Sequence, residues 1–299
     1  MKKFFKIAGR IAGLLFLYSA LQLVFTYIAI IIAMFAASIS GNVPIESLDL
    51  NLEVMQQIVM DGGYFTWSMA LSLLLSALFM LWFLVKFKFF VVRRETFTTL
   101  DRNSLSVSTA LVFCSMFFLN AAVQLVNEFY PIPDFMQDAF LGLSHNVVGV
   151  ISITFVAPIL EEVLFRGAIQ GYLMRCFKNP YVGIIIASLV FGVFHLNPIQ
   201  IVYASLLGFI LGWIYYRTRS LLPVIIGHIL NNSLATLSML LLGDAEEEIL
   251  TSGGISGLLS IVVLFALAAL WLALRMNSFL PAVERPWREA GEPADDANG

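Results

Sequence analysis

The chain has 299 residues, of which 60% are hydrophobic and 12% charged, and its mean hydropathy is +0.88. Soluble domains carry about 25% charged residues, so this composition excludes a soluble globular protein and implies an all-α, polytopic membrane helix bundle. The formal net charge of -3 says little, because acidic and basic residues are segregated along the chain. No long basic run or interleaved aromatic pattern supports nucleic-acid binding. Cys114 and Cys176 form neither a CxxC motif nor a disulfide framework.

A helix needs roughly 20 apolar residues to cross the hydrocarbon core. In chain order, residues 11–39, 64–85, 103–127 and 139–160 meet that length. Residues 179–216 are too long for one pass and are split in two at Asn197-Pro198, a natural interruption. Residues 220–243 and 249–274 complete a predicted set of eight. The opening MKKFFK has the basic character of a signal peptide, but its apolar run is about twice an h-region of ~7–15 residues. A retained anchor is expected. By organisation, residues 1–138 hold the first three helices, 139–243 a helical core, 244–280 a final span, and 281–299 a disordered cytoplasmic tail.

Lysine and arginine set the expected orientation. With the N-terminus in the cytoplasm, all 17 basic residues fall on the inner side, Arg166, Arg175 and Lys178 among them. The outer segments instead carry Glu46, Asp49, Glu53, Asp61, Glu128, Asp134, Asp138, Asp244 and the run Glu246 to Glu248. Both termini are therefore expected inside, in the inner (plasma) membrane of a bacterial-type cell.

Against this pattern stands VAPILEEVLFRGAIQGY, where Glu161 and Glu162 lie against a membrane-length apolar run. One reading has them capping the inner end of the fourth span, with Glu162 pairing Arg166 at i,i+4. The other puts Glu161 deeper. Glu161 and His195 are equidistant from Lys178, so an antiparallel hairpin centred there brings them to one level. Its arms, with Arg166, Gln170 and Arg175, would rise above the inner surface. His228 lies about nine residues from the basic loop at Arg217 and Arg219, or ~13 Å along its helix, which is a similar depth. Asn232 follows His228 by one turn on the same face. Phe191 precedes His195 by one turn and would wall that side. Ionisable groups inside a membrane are costly and usually face a cavity, whereas His145 sits in an outer segment and reads as an interfacial residue. A lone intramembrane histidine is most simply an interhelical hydrogen bond. A glutamate, two histidines and an asparagine at one depth on three helices are harder to explain that way.

These motifs, EEVLFR (Glu161, Glu162, Arg166), FGVFH (Phe191, His195) and HILNN (His228, Asn232), resemble the EExxxR, FxxxH and HxxxN pattern of the CPBP family of intramembrane proteases (the CAAX-protease and bacteriocin-processing, or Abi, group). The triple occurs in order on separate predicted helices, and nothing before about residue 145 or after about 243 matches. The resemblance implies an intramembrane endopeptidase with Glu161 as base. It also implies that His195, His228 and Asn232 position water and transition state; apart from the resemblance, Glu162 and Arg166 are expected to fix the helix end and Phe191 to wall the His195 side.

The chemistry is coherent without the resemblance. Peptide hydrolysis needs an activated water and a donor for the developing oxyanion. Glu161 would activate the water, His195 orient it, and His228 with Asn232 hold the oxyanion. A divalent metal such as zinc is the alternative, held by Glu161, His195 and His228 with one open position. HExxH is absent and asparagine is a poor zinc ligand, so a metal-free glutamate mechanism, requiring no cofactor, is preferred. A proton-coupled transporter or a non-catalytic membrane scaffold are the competing readings. The expected partners are the lipid bilayer and a membrane-anchored peptide or protein, cleaved in a cavity facing the cytoplasm.

Overall fold

The computed structural model describes residues 2–39, 64–90, 101–242, 251–283 and Trp287. These residues form helices and, among them, no strand: α1 (Lys2–Ile39), α2 (Tyr64–Lys86), α3 (Arg102–Phe129), α4 (Gln137–Ser144), α5 (Val147–Cys176), α6 (Pro180–Phe194), α7 (Pro198–Thr218), α8 (Leu222–Leu241) and α9 (Gly254–Phe279). Of the described helices, seven are long and apolar enough to cross a membrane. The chain is a polytopic helical membrane protein. The expected acidic outer segments around residues 46–61 and 244–248 lie outside the described residues. So does most of the tail expected to be disordered; Trp287 within it is buried and donates its indole N–H to the Tyr216 carbonyl at 3.2 Å.

Helix starts follow side-chain chemistry. Asp101 caps α3 by accepting the Ser104 N–H at 2.9 Å, and Asn179 caps α6 by accepting the Tyr181 N–H at 3.1 Å. Prolines in the first turns of α6, α7 and α8 cost no hydrogen bond there. The Asn197-Pro198 interruption is present as expected. However, α6 has only 15 residues, or ~22 Å, short of a full crossing.

The fourth span differs most from its expected bounds of 139–160. It breaks at His145-Asn146, where the Asn146 side chain accepts the Val148 and Gly149 N–H groups at 2.8 and 3.3 Å and starts a new helix. That helix, α5, then runs through the glutamates to Cys176. Two stretches of it are wound as π-helix, Ser152–Val156 and Glu162–Gln170. Pro158, lacking an N–H, interrupts the hydrogen-bond ladder beside the first. His145 is exposed, with Nδ1 2.8 Å from the Leu141 carbonyl oxygen.

Contacts divide the chain into two units, Met1–Phe83 with Asp138–Leu160, and Leu84–Gln137 with Glu161–Gly299. In the first, α1 and α2 are joined by hydroxyls, Thr26 to Ser72 at 2.7 Å and Ser68 to the Ala29 carbonyl at 3.4 Å. Ala70, Leu143 and Ile153 form a small core there. In the second, α3 packs along α9, with Phe117 stacked on Phe265 at 4.8 Å. Small residues let helices approach closely in membranes, and α6 meets α7 through Gly192. A Cβ there would overlap Ser205 Oγ and stand 2.6 Å from the Ile201 carbonyl oxygen.

The α6–α7 break is held from one side. Asn197 is fully buried; its amide accepts the Phe135 N–H at 3.0 Å and donates to Asp134 at 2.9 Å. Gly192→Val is expected to force α6 from α7 and destabilise the protein by about 1–3 kcal/mol, read from unfolding in detergent micelles. An unchanged midpoint contradicts the packing described.

Candidate active site

All the candidate residues lie in the second unit. Every residue from Glu162 to Gln170 is buried, so this turn of α5 is covered on all sides. A helix buried all round is ordinarily hydrophobic all round; this one carries Glu162, Arg166 and Gln170 at four-residue intervals. Each meets a different helix. Glu162 Oε1 accepts a hydrogen bond from His228 Nδ1 of α8 at 2.8 Å. The Arg166 guanidinium lies over the Phe191 ring of α6, 4.5 Å from its centre. Gln170 donates to the Gly212 carbonyl of α7 at 2.8 Å, an approach that a Cβ at Gly212 would obstruct, since it would stand 2.6 Å from Gln170 Oε1. Arg166 and Gln170 are therefore interior residues of the helix packing.

Glu162 and Arg166 form the expected i,i+4 pair, with Oε2 3.1 Å from Nε. Its alignment is that of an ion contact, and the two terminal nitrogens of Arg166 find no hydrogen-bond acceptor among the described residues. Phe191 supplies the compensation. Its face takes the cation, while His195 and His228 stand edge-on to its ring at 4.9 and 5.8 Å.

Glu161 is the contrasting carboxylate. Its side chain keeps 18% of its exposure where Glu162 keeps none, and Oε2 lies 3.7 Å from His228 Nε2. One histidine thus stands between two glutamates, one sealed and hydrogen-bonded, the other open to approach. His195 ends α6; its Nδ1 is 2.8 Å from the Phe191 carbonyl oxygen, so that nitrogen carries a proton. Asn232 is half-buried one turn beyond His228. Its side-chain oxygen accepts from Asn231 at 3.0 Å, and Asn231 in turn accepts from the Tyr203 hydroxyl at 2.6 Å.

The structure therefore brings Glu161, Glu162, Arg166, Phe191 and His228 into one contact network, with His195 joined to it through Phe191. Gln170, Tyr203 and Asn231 are additions that sequence reasoning missed. Gln170 could have been found from the four-residue polar spacing in an apolar run, and Asn231 from its place beside Asn232. The histidine tautomers would suit a metal, because a ligating histidine usually gives its other N–H to a carboxylate or carbonyl. The donor set does not: among the described residues no three His, Cys, Asp or Glu side chains are grouped to hold an ion.

Sequence comparison falls on the same residues. The family model "Rce1-like: Type II CAAX prenyl endopeptidase Rce1-like" matches residues 143–234, from just before α5 into α8. This stretch is similar to the CPBP family of membrane proteases. The chain is 30% identical over 91 residues to the "Putative membrane peptidase YdiL" of Bacillus subtilis (strain 168), covering 30% of this chain and 37% of that protein. It is 40% identical over 89 residues to the "UPF0177 protein YaiH" of Lactococcus lactis subsp. lactis (strain IL1403), covering 29% of this chain and 36% of that protein. The chain thus spans little more than a third of the length of these relatives. No solved structure matches it.

Removing one partner of a buried ion pair leaves an uncompensated charge and costs about 3–5 kcal/mol. Arg166→Ala should therefore destabilise the protein by that order, and adding Glu162→Gln should recover part of the loss. Equal unfolding midpoints for single and double variants contradict the pairing.

Proposed function

We propose that the chain is an intramembrane endopeptidase in which Glu161 activates water against a peptide bond of a membrane-associated substrate. The observation that carries this reading is the asymmetry of the two glutamates: Glu162 is buried and engaged, while Glu161 is partly open beside His228. A base must be reachable by its water, and geometry in a free enzyme is often looser than in the reacting complex. Glu161 meets that requirement and Glu162 does not.

In this reading His195, with its lone pair at Nε2, orients the water. The Asn232 amide is assigned to the oxyanion as donor, its side-chain oxygen accepting from Asn231. Glu162, Arg166 and Phe191 hold the histidines in place. No metal is assigned in this reading: the proton leaves water for a carboxylate, and among the described residues no three His, Cys, Asp or Glu side chains are grouped to hold an ion. The termini and the open side of the site are assigned to the cytoplasm by the distribution of lysine and arginine, in a plasma membrane of bacterial type. The substrate is a peptide or protein held at that surface.

The test is incubation of purified protein with labelled single-span peptides. New peptide termini are expected from wild type and not from Glu161→Gln at equal stability, and the rate should be unchanged by a chelator. Asn232→Ala should lower kcat by about 100-fold to 1,000-fold, the usual cost of an oxyanion donor. Proton uptake without cleavage would favour a carrier, and retained cleavage by Glu161→Gln would remove that residue as the base.

A further inference from the structure

Three atoms decide the protonation of His228. Its Nδ1 is 2.8 Å from Glu162 Oε1, a carboxylate compensated by Arg166. A carboxylate only accepts, so Nδ1 carries a proton, and whenever the ring is neutral its lone pair is at Nε2. That lone pair points toward the glutamate assigned as base, 3.7 Å away. In this form His228 cannot donate to an oxyanion, the role expected for it from sequence. It can receive a proton.

Building on the peptidase reading, we propose that His228, held by Glu162, carries the proton gathered at Glu161 to the leaving amine. Water gives a proton to Glu161 as its oxygen bonds to the scissile carbonyl carbon, and the C=O pair moves onto oxygen. The separation to Nε2 exceeds a direct hydrogen bond, so the proton crosses as the site tightens around substrate or through one bridging water. The imidazolium so formed has its Nδ1–H against Glu162 and its ring perpendicular to that of Phe191. The Glu162 charge offsets the charge on the ring, as the buried carboxylate does in a carboxylate–histidine pair. Nε2 then protonates the amide nitrogen as the C–N bond breaks and the oxyanion pair re-forms the carbonyl. Glu161 is again a carboxylate, His228 is neutral, and the products are an acid and an amine. Glu162 is a positioning residue: it touches no reacting atom but fixes which nitrogen does.

This assignment predicts a dependence on the leaving group. Amide nitrogen must be protonated to depart, whereas an alcohol leaves with far less help. The probe is a labelled single-span peptide that wild type cleaves, paired with the same peptide carrying an ester at the scissile position. Glu162→Gln should lower kcat on the amide by about 100-fold or more, the usual worth of general acid catalysis, and on the ester by less than about tenfold. Glu162→Asp, which retains a carboxylate, should recover much of the amide rate. If Glu162→Gln proves too unstable to assay, His228→Gln reads the same split while leaving the Arg166 contact in place. Equal losses on amide and ester overturn the proton route but leave the peptidase intact. Failure of wild type to cleave any membrane peptide overturns both.

Discussion

Glu162 is sealed inside a chain that keeps most of its other carboxylates in loops or near helix ends, and its two partners organise the core. Arg166, one turn along, compensates the charge, and His228 of α8 takes the remaining oxygen. A buried charge without partners costs several kcal/mol, so these helices must associate in the register that satisfies it. Arg166 is in turn held over Phe191 of α6, and Gln170 continues the same stripe to α7. One face of α5 thereby fixes α6, α7 and α8. Since α6 and α8 bear His195, His228 and Asn232, the interactions that hold the bundle also aim the candidate chemistry.

The winding of α5 belongs to the same account. Rare π-helical turns often occur at functional sites, and the longer of the two begins at Glu162. The two glutamates are neighbours in sequence and opposite in circumstance, one locked and one open. That difference separates a group that holds from a group able to react, and it places His228 between them.

Much of this was legible in the sequence, for definite reasons. Hydropathy located the spans because a membrane-crossing helix requires an apolar run, and Asn197-Pro198 marked the α6–α7 break because proline begins a helix without cost. The motif spacings singled out Glu161, His195, His228 and Asn232. What stayed hidden depended on partners distant in sequence. The hairpin centred near Lys178 was expected, but the burial of its arm was not: Arg166 and Gln170 look like surface residues until Phe191 and Gly212 are placed beside them. The break at His145-Asn146 was masked by the apolar residues flanking it, and only the Asn146 cap reveals it. The link from Asn197 to Asp134 and Phe135 joins residues over 60 positions apart, and neither side signals the other locally.

Because the chain has three histidines, nitrogen-15 spectra of histidine-labelled protein in bilayers can report the state of each ring, with His228→Gln assigning the signal. If Glu162 secures His228 as described, that residue shows a protonated, hydrogen-bonded Nδ1 and a bare Nε2, and the pattern disappears in Glu162→Gln. A resting His228 protonated at Nε2, or one indifferent to the loss of Glu162, would contradict the account at its centre.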